Sequence, residues 1–320
     1  MNSDPAPAST ALIPGPRLRG LVVIVMTLAG CIDSAQVATS STAAVLERAA
    51  PAMNMEPDYK LAAQAIPAHL KLIEGFHLAE PDDERLIALL AEGFCQYAAG
   101  FIEDEVERAA VAGDLRARLD QEARAKSSFL RCTEYALLLL PKGYRQTWAG
   151  PFPAFARQVV AAKRRHRDAL MWLGIGLAGA IEHGKRDFEL LTHLPKAQAL
   201  LERVVELDDA GNGGDPMMRA LPHLTLGRLH TARAAVMGGD PPRGRAHLER
   251  ALKITGSRLL LAKVYMAKGF ARITGNRPLF RAMLVDVLRS NPAIWPEQRL
   301  VNEIAMRRAR RYLILEDEWF

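Results

Sequence analysis

Aromatic side chains are scarce in this chain, at 6% of 320 residues, so its core must rest mainly on small and aliphatic packing. Period-two alternation is missing as well, which removes the usual signature of a half-buried sheet. Cysteine is reduced to Cys31, Cys95 and Cys132, without paired-cysteine spacing, and no His-Glu-x-x-His motif occurs. Zinc is therefore not expected. Asp208-Asp209-Ala210-Gly211-Asn212-Gly213 begins like a calcium loop but lacks the closing Glu at the required spacing, which leaves a polar turn. No Gly-x-Ser-x-Gly elbow and no Gly-Lys-Ser/Thr phosphate loop is found. The expectation is a protein that is not an enzyme and uses no cofactor or metal.

Long apolar runs are also missing. The stretch from Leu21 to Leu28 falls far below the roughly 20 residues of a membrane-spanning helix. Arg17 and Arg19 precede it, and Leu28-Ala29-Gly30-Cys31 follows. A positive segment, a short apolar segment and small residues before a cut describe a secretory signal over residues 1–30. A cysteine at the cut is a lipid attachment site, so Cys31 is expected to carry acyl chains such as palmitate. Ile32 rather than Asp follows it, which by analogy with bacterial sorting favours the periplasmic face of the outer membrane. Residues 31–45 are small and polar and predict a flexible tether. A mild net charge of +6 and a secreted location argue against nucleic acid as a partner.

What is present from residue 46 to 320 is helical periodicity, broken by turn signals. Pro81-Asp82-Asp83-Glu84 starts a helix, Pro141-Lys142-Gly143 ends one, and Ser290-Asn291-Pro292 stops the last before the terminal one. Asp82 to Val111 and Asp114 to Leu140 read as an antiparallel hairpin turning at Gly113. Cys95 and Cys132 then lie at nearly the same height, on apolar stripes. Two buried thiols are the simpler reading, and a disulfide is the alternative.

Four hairpins follow a tetratricopeptide-like scheme. Their first helices carry Leu90-Ala91 with Phe94, Leu173-Gly174 with Leu177, Leu226-Gly227 with His230, and Leu261-Ala262 with Tyr265. Each would bury its apolar stripe only against a neighbour, so the expected fold is an all-α solenoid with a C-terminal capping helix.

The chain resembles the T-component (TatT) lipoproteins of tripartite ATP-independent periplasmic (TRAP) transporters from Tyr59 to Phe320. Glu92-Gly93-Phe94-Cys95-Gln96-Tyr97-Ala98, Trp172-Leu173-Gly174-Ile175-Gly176-Leu177-Ala178 and His223-Leu224-Thr225-Leu226-Gly227 carry the resemblance. Ala246 to Leu252 and the ending Arg307-Arg308-Ala309-Arg310-Arg311-Tyr312-Leu313 extend it. It implies a helical repeat lipoprotein, acylated at Cys31, that forms a homotrimer with a central pore and docks a periplasmic solute-binding protein. His230 departs from the usual aromatic, and the first hairpin is long and charged around Glu103-Asp104-Glu105.

Two further groups of residues are candidates. Gly174-Ile175-Gly176-Leu177-Ala178-Gly179 spells a dinucleotide fingerprint, but its surroundings have helical spacing, so close helix packing is the first reading and a ligand passage the second. Tyr144, Trp148, Phe152 and Phe155 either cover the core or form the lip of an apolar cavity with Trp172 deeper inside. Trp148, Phe152, Trp172, Gly174 and Gly176 are thus the candidate pore lining. The basic runs 163–167 and 307–311 supply Arg164, Arg165, Arg307 and Arg308 as candidate partner contacts, the alternative being solvated helix faces. The acidic tail Glu316-Asp317-Glu318 is placed to pair with the second run. Beside the transport role stands a general scaffold for envelope protein–protein interaction.

Overall fold

A computed structural model describes residues 34–211, 214–232, 235–237 and 239–320. The signal segment and Cys31 lie outside the described residues. The described chain is all-α: α1 (Ser34–Ala49), α2 (Tyr59–Ala79), α3 (Glu84–Tyr97), α4 (Glu103–Val111), α5 (Leu115–Leu138), α6 (Arg167–His183), α7 (Leu194–Asp209), α8 (Pro216–Thr231), α9 (Pro241–Ile254), α10 (Leu260–Tyr265), α11 (Arg277–Arg289) and α12 (Arg299–Ile314).

Short polar residues set the helix starts. The side chains of Asp58, Asp83, Asp114, Asp215, Asp240 and Asn276 each accept a hydrogen bond from a first-turn backbone N–H, satisfying donors that the helix leaves open. The expected hairpin forms as read: α3 runs through a π-helical turn (Ala98–Ile102) into α4, and Gly113, at φ +70°, turns the chain into α5. Neighbouring helices then pack in chain order, α3 on α5, α5 on α6, α6 on α7, α7 on α8 and α8 on α9. The terminal helix α12 packs on α10 and α11, and it also returns to α2 at the start of the domain.

Two local expectations change. From Ser34 the chain is already helical where composition predicted a tether over 31–45, and Ala43 is fully buried in the main apolar core. Small residues suit a helix face held close to its neighbour as well as they suit a linker. Cys95 and Cys132, read more simply as two thiols, are joined in a disulfide with their Cα atoms 5.4 Å apart, tying α3 to α5. The stretch from Glu84 to Val111 is apolar and long enough to cross a membrane, but 61% of its most apolar window is buried inside the fold, as for a core helix.

The fingerprint-like glycines lie within α6 and serve packing. A Cβ on Gly179 would meet the Phe129 ring at 2.5 Å, and one on Gly176 would lie 2.6 Å from Thr133 Oγ1 and 2.9 Å from the Phe129 carbonyl oxygen. Backbone cannot yield as a side-chain tip can. Gly176→Ala is therefore expected to lose about 1–3 kcal/mol in urea unfolding through overpacking. Gly75→Ala, on the exposed face of α2 with nothing within 4 Å of the new Cβ, is expected to gain up to ~1 kcal/mol from helix propensity. Equal stability of the two variants would refute the packing role of Gly176.

Candidate functional site: an apolar cavity with one charged wall

Helices α2, α3, α6, α8, α10 and α12 do not close completely on one another. They leave a cavity of about 140 Å³ whose apolar lining includes Ile66, Trp172, Met217, Leu224, Leu300 and Ile304. Among the described residues Arg228 is the single charged one in that lining, and Tyr265 stands beside it. Arg228 Nη1 donates to the Tyr265 hydroxyl at 3.4 Å, and its guanidinium lies 5.0 Å over the Tyr265 ring.

Behind this wall lies a buried ion network joining both ends of the domain. Arg228 Nη2 pairs with Glu103 Oε1 at 2.8 Å and also with Glu182. The second Glu103 oxygen pairs with Arg308 Nη2 at 3.2 Å, and His183 Nε2 lies 3.3 Å from Oε1. Arg308 reaches the Tyr265 hydroxyl at 3.2 Å and donates to the Ala99 carbonyl in the π-helical turn at 2.6 Å. The network continues outward: Glu107 takes Lys268 at 2.9 Å together with Arg311 and Tyr312, and Asp104 takes Arg311, Arg307 at 3.2 Å and the Tyr59 hydroxyl at 3.1 Å. Burial alone raises a carboxyl, but Lys268 and Arg308 outweigh it and pull Glu107 down to about 2. Burial likewise opposes the Glu103 charge and is outweighed by Arg228, His183 and Arg308, which hold it well below the carboxylate range.

A sequence regularity underlies the match. Glu103, Asp104 and Glu107 occupy steps i, i+1 and i+4 of α4; Arg307, Arg308 and Arg311 occupy the same steps of α12. The two triplets meet face to face across some 200 residues of chain.

The candidates therefore separate. Trp172 lines the cavity and is 4% exposed. Gly174 and Gly176 do not reach it: Gly174 abuts Leu200 and Leu201 of α7, and Gly176 abuts α5. Trp148 also lies elsewhere, stacked on His193 and edge-on to Phe155, while Phe152 is exposed, so this cluster covers the core. Arg164 and Arg165 are on the surface. Arg307 sits 3.9 Å over the Tyr59 ring with a third of its side chain accessible. Arg308, expected as a partner contact, is 1% exposed and belongs to the core, because its charge is consumed by Glu103. The acidic tail pairs elsewhere too: Glu316 binds Arg277 and Arg281. Sequence reasoning missed Arg228, Glu182 and Lys268. Their signal was slight: Arg228 and Lys268 stand between small or apolar neighbours, and Glu182 follows the apolar run that ends at Ile181.

A second polar feature holds α8 to α9. His223 Nδ1 and His247 Nδ1 meet at 2.9 Å, and His230 stacks on His247 with ring centroids 5.8 Å apart. Burial is the main cause that lowers both His223 and His247 to about 4; Arg250 adds to it for His223, and His223 and His230 for His247. A histidine depressed on folding binds fewer protons folded than unfolded, so its contribution is complete above about pH 6.5 and is lost as pH falls towards 4. Thermal melts are expected to move to lower temperature across that window, and less so for His223→Gln/His247→Gln. An unchanged slope in the double variant would contradict the assignment.

A family model described as TRAP transporter T-component matches residues 55–320. An uncharacterized protein of Treponema pallidum (strain Nichols) is 22% identical over 259 residues, covering 80% of this chain and 78% of that protein. The matched span contains α2, α3, α6, α8, α10 and α12, which wall most of the cavity, and both halves of the ion network; Met53 and Asn54, which also line the cavity, precede it. The chain thus belongs to the TRAP transporter T-component family, a family of transport accessories rather than of enzymes.

Proposed function

We propose that this protein serves a TRAP-type uptake system by docking its periplasmic solute-binding protein and holding a small organic or apolar solute in the cavity. The observation that carries this reading is an apolar cavity with a single charged side chain in its lining, set in a family of transport accessories. Acylation of Cys31 would fix the protein to the periplasmic face of the outer membrane, and assembly as a homotrimer would present several docking faces at once. Surface residues Arg164, Arg165 and the accessible part of Arg307 are the basic contacts available to an acidic partner. In this reading the chain has no catalytic role and needs no cofactor. A general scaffold for envelope proteins is the alternative, but it leaves the cavity without a purpose.

Residues 32–320, immobilised and exposed to periplasmic extract, test the reading, with captured proteins identified by mass spectrometry. Recovery of a TRAP solute-binding protein supports it. Recovery of envelope-assembly proteins alone overturns it in favour of the scaffold. In cells, Cys31→Ser is expected to release the protein from membranes, and firm retention would contradict the anchor.

A further inference from the structure

Arg228 has two carboxylate partners, and they are not equivalent. Glu103 is 5% exposed and is also held by Arg308 and His183. The Glu182 side chain is 37% exposed, and among the described residues Arg228 is its one ion-pair partner. Glu182 also faces a second space, an open polar cleft of about 830 Å³ between α5 and the end of α6. That cleft is lined by the cations Arg118, Lys126, Lys185 and Arg186 and by the carboxylates Glu122 and Asp187. Arg118 is paired with Glu122 and Lys126 with Asp187, whereas Lys185 and Arg186 have no ion pair among the described residues. One guanidinium therefore lines the apolar cavity, and its weaker-held counter-ion lines a polar cleft on the other side that offers two cations, Lys185 and Arg186, without an ion pair among the described residues.

We propose that the cavity selects amphiphiles with one anionic head, and that the head replaces Glu182 on Arg228 while Glu182 turns into the cleft. The deduction rests on the reading that the cavity holds a solute. An anion brought beside Arg228 with both carboxylates in place would crowd a third negative group around that guanidinium in a poorly solvated site, which is unfavourable. Exchange keeps the buried charge count constant. Arg228 retains two carboxylate partners, Glu103 stays held by Arg308, and the displaced Glu182 meets the cations of the cleft. The apolar body of the ligand takes the space beside Trp172, Leu224 and Ile304. An uncharged analogue gains the same apolar burial but cannot replace Glu182. Occupancy of the cavity is thereby coupled to a change of charge arrangement in the cleft.

Isothermal titration of residues 32–320 with octanoate and with 1-octanol tests this, using wild type, Glu182→Gln and Arg228→Met. Glu182→Gln removes the competing counter-ion, so octanoate is expected to bind at least tenfold more tightly than to wild type, with 1-octanol unchanged. Arg228→Met is expected to abolish the preference for octanoate over 1-octanol. Circular dichroism checks the fold of each variant, and Glu182→Gln alone suffices should Arg228→Met not fold. The same octanoate affinity in wild type and Glu182→Gln overturns the exchange. Binding of 1-octanol alone overturns it too but leaves a solute-holding cavity. Binding of neither overturns both, while docking remains subject to the capture experiment.

Discussion

Arg308→Met is expected to lower the stability of the domain by about 3–5 kcal/mol, the cost of removing one partner from a buried ion pair. Arg308 is 1% exposed, and four groups meet it: the Glu103 carboxylate, the Glu107 carboxylate at 3.9 Å, the Tyr265 hydroxyl and the Ala99 carbonyl. Methionine fills similar volume but removes a charged donor from the Glu103 carboxylate, the Tyr265 hydroxyl and the Ala99 carbonyl at once. Glu103 would retain Arg228 and His183, so the chain should fold but with a carboxylate poorly matched by positive charge. Neutralising that carboxylate as well should recover part of the loss. The double variant Arg308→Met/Glu103→Gln is thus expected to be more stable than the sum of the single losses, by a coupling of roughly 1–3 kcal/mol. Arg308→Lys is not a conservative exchange here, because one ammonium cannot reproduce the planar fork that spans three acceptors. Urea unfolding of the four proteins measures the cycle. Strict additivity would show that α4 and α12 are held by apolar packing and that the ion pair contributes little.

Removing the Cys95–Cys132 link is the second large effect. The bridge closes a loop with a sequence separation of 37, for which chain-entropy arguments give about 4 kcal/mol, and measured losses run at about 2–5 kcal/mol. Both sulfurs are buried, at 1% and 0% exposure, so reductant should act slowly on the folded protein and fully only under partial denaturation. Cys95→Ala/Cys132→Ala separates the bridge from the reductant. Its urea midpoint is expected to fall, and reductant should have no further effect on it. Cys95 also lines the cavity, so the variant is expected to bind apolar ligand more weakly as α3 and α5 gain freedom. The proposed periplasmic location is an oxidising compartment, where such a link persists. Alkylation of the unfolded, unreduced protein by a thiol reagent at both positions would refute the bridge.

How much of this could be read in advance depends on whether the determinant is local. The hairpin turning at Gly113 was legible, because an Asp cap, helical periodicity and a left-handed glycine all lie within a few residues of the turn. The equal height of Cys95 and Cys132 followed from that hairpin, though their bonding did not, since two buried thiols and a bridge need the same positions. Gly174–Gly179 were legible as small residues on a helix face, and packing against Phe129 and Leu201 accounts for them. The wall of the cavity was not legible. Glu103 and Arg308 are brought together by the return of α12 to the start of the domain, and the repeat pattern, which concerns nearest neighbours, carries no information on that return. The matched steps of the 103-104-107 and 307-308-311 triplets were visible as separate charged runs, and each run alone is indistinguishable from a solvated face. Trp148 and Phe152 misled for the opposite reason: large rings in a proline-rich connection suit a core cover and a cavity lip equally well, and only the path of the chain decides.

The wall also joins the cavity, the cleft and the terminal helix. Arg228 faces the apolar cavity, Glu182 faces the polar cleft, and Arg308 of α12 is paired with the Glu103 carboxylate of α4 between them. A stable partition of this kind suits a protein that holds and hands over a solute without altering it.

Sedimentation velocity of residues 32–320 mixed with the purified TRAP solute-binding proteins of the same cell tests the transport role most directly. The account predicts a faster boundary containing both proteins for at least one of them at micromolar concentration. Independent boundaries with every such partner, at tens of micromolar and with partner ligand present, would contradict it.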